Sequence, residues 1–127
     1  MSRETLMQTA EKLAEFCRNE NTIEGLDTLY DPDAVSVEAM VGPGSDSRET
    51  VGVPAIKGKH EWWLNNMEVH SSNLEGPFPH GDDRFAIIFD FDATDKSSGN
   101  RMKMKEVAVY TTNDAGKIIR EEFYYTM

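Results

Sequence analysis

The 127-residue chain has a single cysteine, Cys17. One thiol cannot close an internal disulfide, and it fits a reducing, cytoplasmic setting. Basic residues are scarce: 13 Lys and Arg stand against 23 Asp and Glu, a formal charge of −10. That balance argues against nucleic-acid and anionic-membrane partners, because phosphate contacts need a basic surface. No apolar run approaches the roughly 18 residues that a membrane span needs. The start, Met1-Ser2-Arg3-Glu4, has no apolar signal-peptide core. G-x-G-x-x-G, P-loop, G-x-S-x-G and C-x-x-C patterns are all missing. Their absence removes the dinucleotide, NTPase, serine-hydrolase and redox readings. His60, His70 and His80 are too far apart in sequence for a helical metal pair and lack zinc-finger spacing. No metal site is therefore expected.

What remains is ordinary globular composition, with 39% hydrophobic and 28% charged residues. The length predicts one domain over 1–127 with about two-thirds of its surface buried. Leu6, Ala10, Leu13 and Cys17, flanked by Met7 and Ala14, mark one face of a first helix, with Ser2 as its cap. Asn21 and Glu24 resemble a capping box for a second, short helix that offers Ile23, Leu26, Leu29 and Tyr30 to the core. Asp31-Pro32 ends it. A first strand is predicted over 34–41, rich in valine with Ser36 and Glu38 interleaved. Residues 42–52 read as a loop. Pro54 suits the first turn of a third helix, whose inner face would hold Ile56, His60, Trp63, Leu64 and Met67. Of the adjacent pair Trp62 and Trp63, only the second shares that stripe. Turn signals at 76–83, 95–100 and 113–116 then separate four strands, near 69–76, 84–94, 101–112 and 117–126. The order indicates an α+β fold, with helices on one face of a largely antiparallel sheet.

Register exposes the chemistry. Pairing Thr94 with Arg101 across the 95–100 turn sets Asp92 against Lys103 and Asp90 against Lys105, as opposite charges on one face should be. The other face then holds Phe85, Ile87, Phe89 and Phe91 beside Met102, Met104, Glu106, Ala108 and Tyr110. Pairing Thr112 with Lys117 extends it with Ile119, Glu121, Phe123 and Tyr125. Glu106 would lie between Phe89 and Phe123, and Glu121 would face Ala108. Two carboxyls on an apolar face either find partners, sit at a solvated rim, or shift their pKa upward and serve as acid–base groups. A one-residue bulge would turn both outward.

The segment Leu29-Tyr30-Asp31-Pro32-Asp33-Ala34-Val35-Ser36-Val37-Glu38, the helix start Gly52-Val53-Pro54-Ala55-Ile56 and the ending Val109-Tyr110-Thr111-Thr112-Asn113-Asp114-Ala115-Gly116-Lys117-Ile118 resemble the SnoaL-like group of the NTF2-like superfamily. The resemblance covers nearly the whole chain. It implies a cone-shaped barrel, a curved sheet wrapped around three N-terminal helices, with a pocket in the mouth. It implies a homodimer through the outer sheet face, where Ile88, Val107, Val109, Ile118 and Tyr124 are expected. It also implies no metal or organic cofactor. Relatives include polyketide cyclases, ketosteroid isomerases, scytalone dehydratase and limonene epoxide hydrolase, so the fold does not settle the function. The ketosteroid isomerase acid–base and oxyanion positions fall on Ala39, Ala108, and Ala14 or Phe16, none of which can move a proton.

The function expected is an isomerase, cyclase or hydratase-type proton transfer on a small hydrophobic carbonyl or ring compound. Glu106 or Glu121 would move the proton, and His60 or Tyr110 would polarise the oxygen. Trp63, Phe89, Met104, Ala108, Tyr110, Phe123 and Tyr125 would line the ligand site. The alternative is a non-catalytic ligand-binding or dimeric scaffold protein of the same fold.

Overall fold

The computed structural model describes residues 3–41 and 46–125. The Ser2 cap, residues 42–45 of the 42–52 loop and the end of the last expected strand lie outside them. Helix α1 (Arg3–Arg18) buries Leu6, Thr9, Ala10, Leu13 and Ala14, the face that the apolar spacing marks. Helix α2 (Thr22–Leu29) buries Leu26 and Leu29. The Asn21 side chain donates to the Glu24 carboxylate rather than to a backbone group, and the Asn21 amide donates to the Phe16 carbonyl, so neither bond of the expected box forms.

Strand β1 (Tyr30–Val37) begins four residues earlier than expected and includes Pro32 at an irregularity in its pairing. Proline lacks an amide donor, so it is tolerated where the ladder is already broken. The 42–52 loop holds a short strand, β2 (Glu49–Val51), paired antiparallel with β1. Helix α3 (Val53–Asn66) has Pro54 in its first turn. It turns Ile56 fully inward and Trp63 part-way, and leaves Trp62 53% exposed. Leu64 is 48% exposed, contrary to expectation. It lies about 80° around the helix from Ile56, past the buried stripe.

Strand β3 (Met67–His80) runs through Gly76-Pro77, so the turn to β4 (Arg84–Asp95) is confined to 81–83. β5 (Arg101–Thr112) and β6 (Ile118–Tyr124) follow the two remaining turns. The sheet order is β2-β1-β6-β5-β4-β3, and only β1–β6 is parallel. Pairing shifts in β1–β6, β3–β4 and β5–β6 increase the local twist and curve the sheet around the helices. The enclosed core joins Leu6, Leu13 and Leu26 to Ile56, Phe85, Ile87 and Ile118. Phe85 stacks on Tyr110 at 5.0 Å between ring centroids.

The β4–β5 register is the expected one, including Asp92↔Lys103, Asp90↔Lys105 and Phe89↔Glu106. The β5–β6 register differs by two residues: Ala108 pairs with Phe123 and Tyr110 with Glu121. A two-residue slip preserves side-chain facing, so Glu121, Phe123 and Tyr125 remain on the inner side. The irregularity between Thr111 and Thr112 sits opposite Ile119 and restores the pairing of Thr112 with Ile118. Ile118 is therefore buried and Ile119 is turned outward, the reverse of the expected placement.

Candidate active site

Glu121 is 1% exposed, yet its carboxylate is fully engaged. The Tyr30 hydroxyl donates to Oε1, and Ser36 Oγ donates to Oε2 at 2.6 Å. His60 Nε2 lies 3.9 Å from the same Oε2. Burial pushes this carboxyl upward, but His60 and the Ser36 and Tyr30 hydroxyls outweigh it and hold Glu121 below the usual carboxylate range. The expectation of a raised pKa at Glu121 is thus corrected. The donors arrive from β1 and α3, which the neighbouring strands give no hint of.

Glu106 is the opposite case. It is half-buried, and burial together with the charges of Glu38 and Glu121 pushes it up to about 7, against a smaller opposing pull from Lys59. Tyr110, paired with Glu121 across β5 and β6, is buried, and burial with the charges of Cys17, Glu121 and Glu106 keeps its phenol protonated far into alkaline pH. Cys17 is pushed up to about 12, mainly by burial and next by Glu121. That agrees with a packing role rather than a nucleophilic one.

A second polar group continues from Glu121 toward the surface. Lys59 Nζ donates to Ser36 Oγ at 2.7 Å and lies 3.0 Å from Glu38 Oε1. The same ammonium stands over the Phe123 ring, 5.5 Å from its centroid. Tyr125 donates to Glu38 Oε2 at 3.4 Å. Glu38, Phe123 and Tyr125 also border an open cleft of about 760 Å³, whose other walls include Arg48, Lys105 and Arg120.

Glu106, Glu121, His60, Tyr110, Phe123 and Tyr125 therefore gather around one region. Phe89 pairs with Glu106, and Ala108 is fully buried between Ile87 and Phe123. Trp63 packs 5.3 Å from Phe91, toward the β4 side. Met104 pairs with Phe91 and borders a separate shallow groove over β3, β4 and β5. It stands apart from the Glu121 group. Sequence reasoning missed Tyr30, Ser36, Glu38 and Lys59 as site residues. A signal existed for one of them: Ile56, Lys59, His60 and Trp63 have the i, i+3, i+4, i+7 spacing of one helix face. Among the described residues, no group of three or more His, Cys, Asp or Glu is arranged to hold a metal ion. No helix among them is long and apolar enough to cross a membrane.

Three helices on a six-stranded, curved, mixed sheet with acidic groups on the concave side define an NTF2-like architecture. The chain belongs to the SnoaL-like domain family, whose pattern it matches over residues 4–125. It is similar to a crystal structure from Mesorhizobium loti described as a candidate SnoaL-like polyketide cyclase. The two are 37% identical, the match covers 94% of this chain and 97% of that one, and the TM-score is 0.84. An NTF2-like protein of unknown function from Burkholderia pseudomallei shares the fold at 15% identity, over 96% and 91% of the two chains, with a TM-score of 0.72. So does a ketosteroid isomerase-like-fold protein from Catenulispora acidiphila, solved with trimethylamine, at 18% identity over 83% and 75%, with a TM-score of 0.65. No curated protein matches the sequence.

Proposed function

We propose that this protein is a cofactor-independent enzyme that moves a proton on a small hydrophobic carbonyl or ring compound, as an isomerase, cyclase or hydratase. The observation that carries this reading is Glu106, a half-buried carboxyl on β5 that faces Phe89 across the sheet and is raised to about 7 by burial and by the charges of Glu38 and Glu121. A group with its pKa near the working pH is best placed to accept and return a proton. Glu106 would take the proton α to the carbonyl, leaving an enolate whose charge develops on oxygen. His60, held next to the ionised Glu121, and the protonated Tyr110 hydroxyl are the donors that would polarise that oxygen. Returning the proton from Glu106 to another carbon of the enolate would complete an isomerisation; in a ring closure the enolate carbon would instead bond to a second carbonyl carbon of the same molecule, and the proton would go to the alkoxide oxygen that this opens. Glu121 is assigned a fixed-charge role because every donor around it stabilises the carboxylate.

The reading is tested by α-proton exchange. A panel of small cyclic and aromatic ketones is incubated in deuterium oxide and followed by NMR. Enzyme-dependent exchange is expected for some of them, with an apparent midpoint near 7. Glu106→Gln is expected to lower the rate on the order of 10²–10⁴-fold. Exchange that survives the substitution unchanged would remove Glu106 from the mechanism.

The second reading is a non-catalytic ligand-binding or dimeric scaffold protein. It is favoured by the dense packing of Phe85, Ile87, Ala108 and Tyr110 beneath the site. No enzyme-dependent exchange across the panel, with saturable binding of an apolar compound, would select it. We also propose a homodimer through the outer sheet face.

A further inference from the structure

The open cleft of about 760 Å³ lies where the polar chain from Glu121 through Ser36 and Lys59 to Glu38 reaches the surface. Its volume is that of a small-molecule site. Three cations line it: Arg48 just before β2, Lys105 on β5 and Arg120 on β6. Three acids line it too, Glu38, Glu49 and Glu122. In a chain with a formal charge of −10, that even balance is a local exception. Two of the acids are already engaged. Glu38 pairs at 3.0 Å with Lys59, which is not itself a wall of the cleft, and Glu122 pairs at 3.3 Å with Arg120. Among the described residues, Arg48 and Lys105 form no ion pair, and both are exposed. The cleft therefore presents two uncommitted cations against one uncommitted acid, Glu49.

One net positive charge in a cleft suits a monoanion. A guanidinium can hold a carboxylate through two parallel hydrogen bonds, and a lysine adds a point charge beside it. Phe123 and Tyr125 border the same space and supply apolar surface for a ring. A dianion such as a phosphate ester would have Glu49 unpaired against it and is disfavoured. We propose that this cleft recognises a carboxylate, held by Arg48 and Lys105, and that the substrate is a small ring or aromatic carbonyl compound that carries one. The carbonyl half of that statement rests on the proton-transfer reading above; the carboxylate half is decided by binding alone.

The test is a titration of the protein with 2-naphthoate at neutral pH and low salt, followed by backbone amide NMR shifts. The neutral 2-naphthamide and the dianionic 2-naphthyl phosphate are the comparison probes. Naphthoate is expected to saturate, to shift the amides of Arg48, Lys105 and Phe123, and to weaken as salt is added. The amide is expected to bind about 10-fold more weakly or worse. Arg48→Gln and Lys105→Gln are each expected to weaken naphthoate roughly 5-fold, the scale of one exposed charge pair. Lys103→Gln, two residues along the same strand, is expected to leave it unchanged, which separates this cleft from a general loss of positive charge. Amide binding as tight as naphthoate, tighter binding of the phosphate, or an unchanged affinity in both cleft variants overturns the proposal. A second arm measures α-proton exchange of 3-oxocyclohexanecarboxylate and of its carboxamide. The acid is expected to have the lower KM, and Arg48→Gln to raise that KM with kcat unchanged. Naphthoate binding with no exchange of either ketone sinks the proton-transfer reading and leaves the carboxylate site standing. Exchange of both ketones with one common KM keeps the enzyme and overturns the carboxylate site.

Discussion

Glu106 and Glu121 share one sheet face and differ in what donates to them. The difference has a signed consequence for stability. Glu106 has a folded pKa of about 7 against an ordinary value of 4.5. Between those values the native state holds a proton that the unfolded chain has released. This group's contribution to stability therefore falls as pH rises through that window, and its penalty is complete above it. Glu106→Gln removes the penalty. Its melting temperature relative to wild type is expected to climb between pH 4.5 and 8, by the equivalent of up to roughly 3 kcal/mol. A difference that stays flat across that range would contradict a raised Glu106. Glu121 works the other way: held below the usual range, it contributes stability above the ordinary carboxylate pKa that is lost as pH falls through its folded value. The placement of both glutamates on the inner face was legible from strand parity. The split between them was not, because the donors come from distant segments. Ser36 and Glu38 look like solvent-facing residues between valines, yet Ser36 is fully buried and Val35 and Val37 only partly so.

Among the elements, the β4–β5 hairpin was the most readable, since two opposite-charge pairs and a polar turn select one register. The β5–β6 hairpin was less so. Its turn at 113–116 is stabilised from outside: Thr9 Oγ1 on α1 donates to the Gly116 carbonyl at 2.7 Å. Gly116 has φ +79°, and a Cβ there would stand 2.7 Å from Thr5 Cγ2 and 3.3 Å from Thr9 Oγ1. Gly99 has a similar φ of +76° in the preceding hairpin, with nothing within 4 Å. Both alanine substitutions strain the backbone by about 1 kcal/mol or more, but only Gly116→Ala also collides with α1. Gly116→Ala is expected to lower the urea midpoint clearly more than Gly99→Ala, with an unchanged slope in both. Equal losses would mean that α1 yields freely at this contact. The two-residue slip was invisible in sequence because it depends on this docking of the turn and on the extra residue at Ile119. It left the site intact because a shift of two keeps every side chain on its face.

At the scale of the whole molecule, the outer sheet face carries the half-buried Ile88, Val107 and Val109 beside the exposed Ile119 and Tyr124. Ile118, expected there, belongs to the core instead. Apolar side chains clustered on an exposed face are what a self-association surface requires. Light scattering at micromolar concentration is expected to give twice the monomer mass, and Val109→Glu to give a monomer with an unchanged circular dichroism spectrum. A monomeric wild type would contradict the dimer. The sequence by itself determined the α+β class, the inner faces of α1, β4 and β5, the inward side of Glu121 and Phe123 on β6, and the pairing of β4 with β5. These follow from periodicity and short-range turn chemistry, which act over neighbouring residues. Tertiary structure alone decided the parallel β1–β6 contact, the short β2, and the partners of each glutamate. Tyr30, Ser36 and His60 meet Glu121 only when β1 pairs with β6 and α3 closes over the sheet, and a carboxyl's proton affinity is set by what surrounds it in space rather than by what precedes it in the chain.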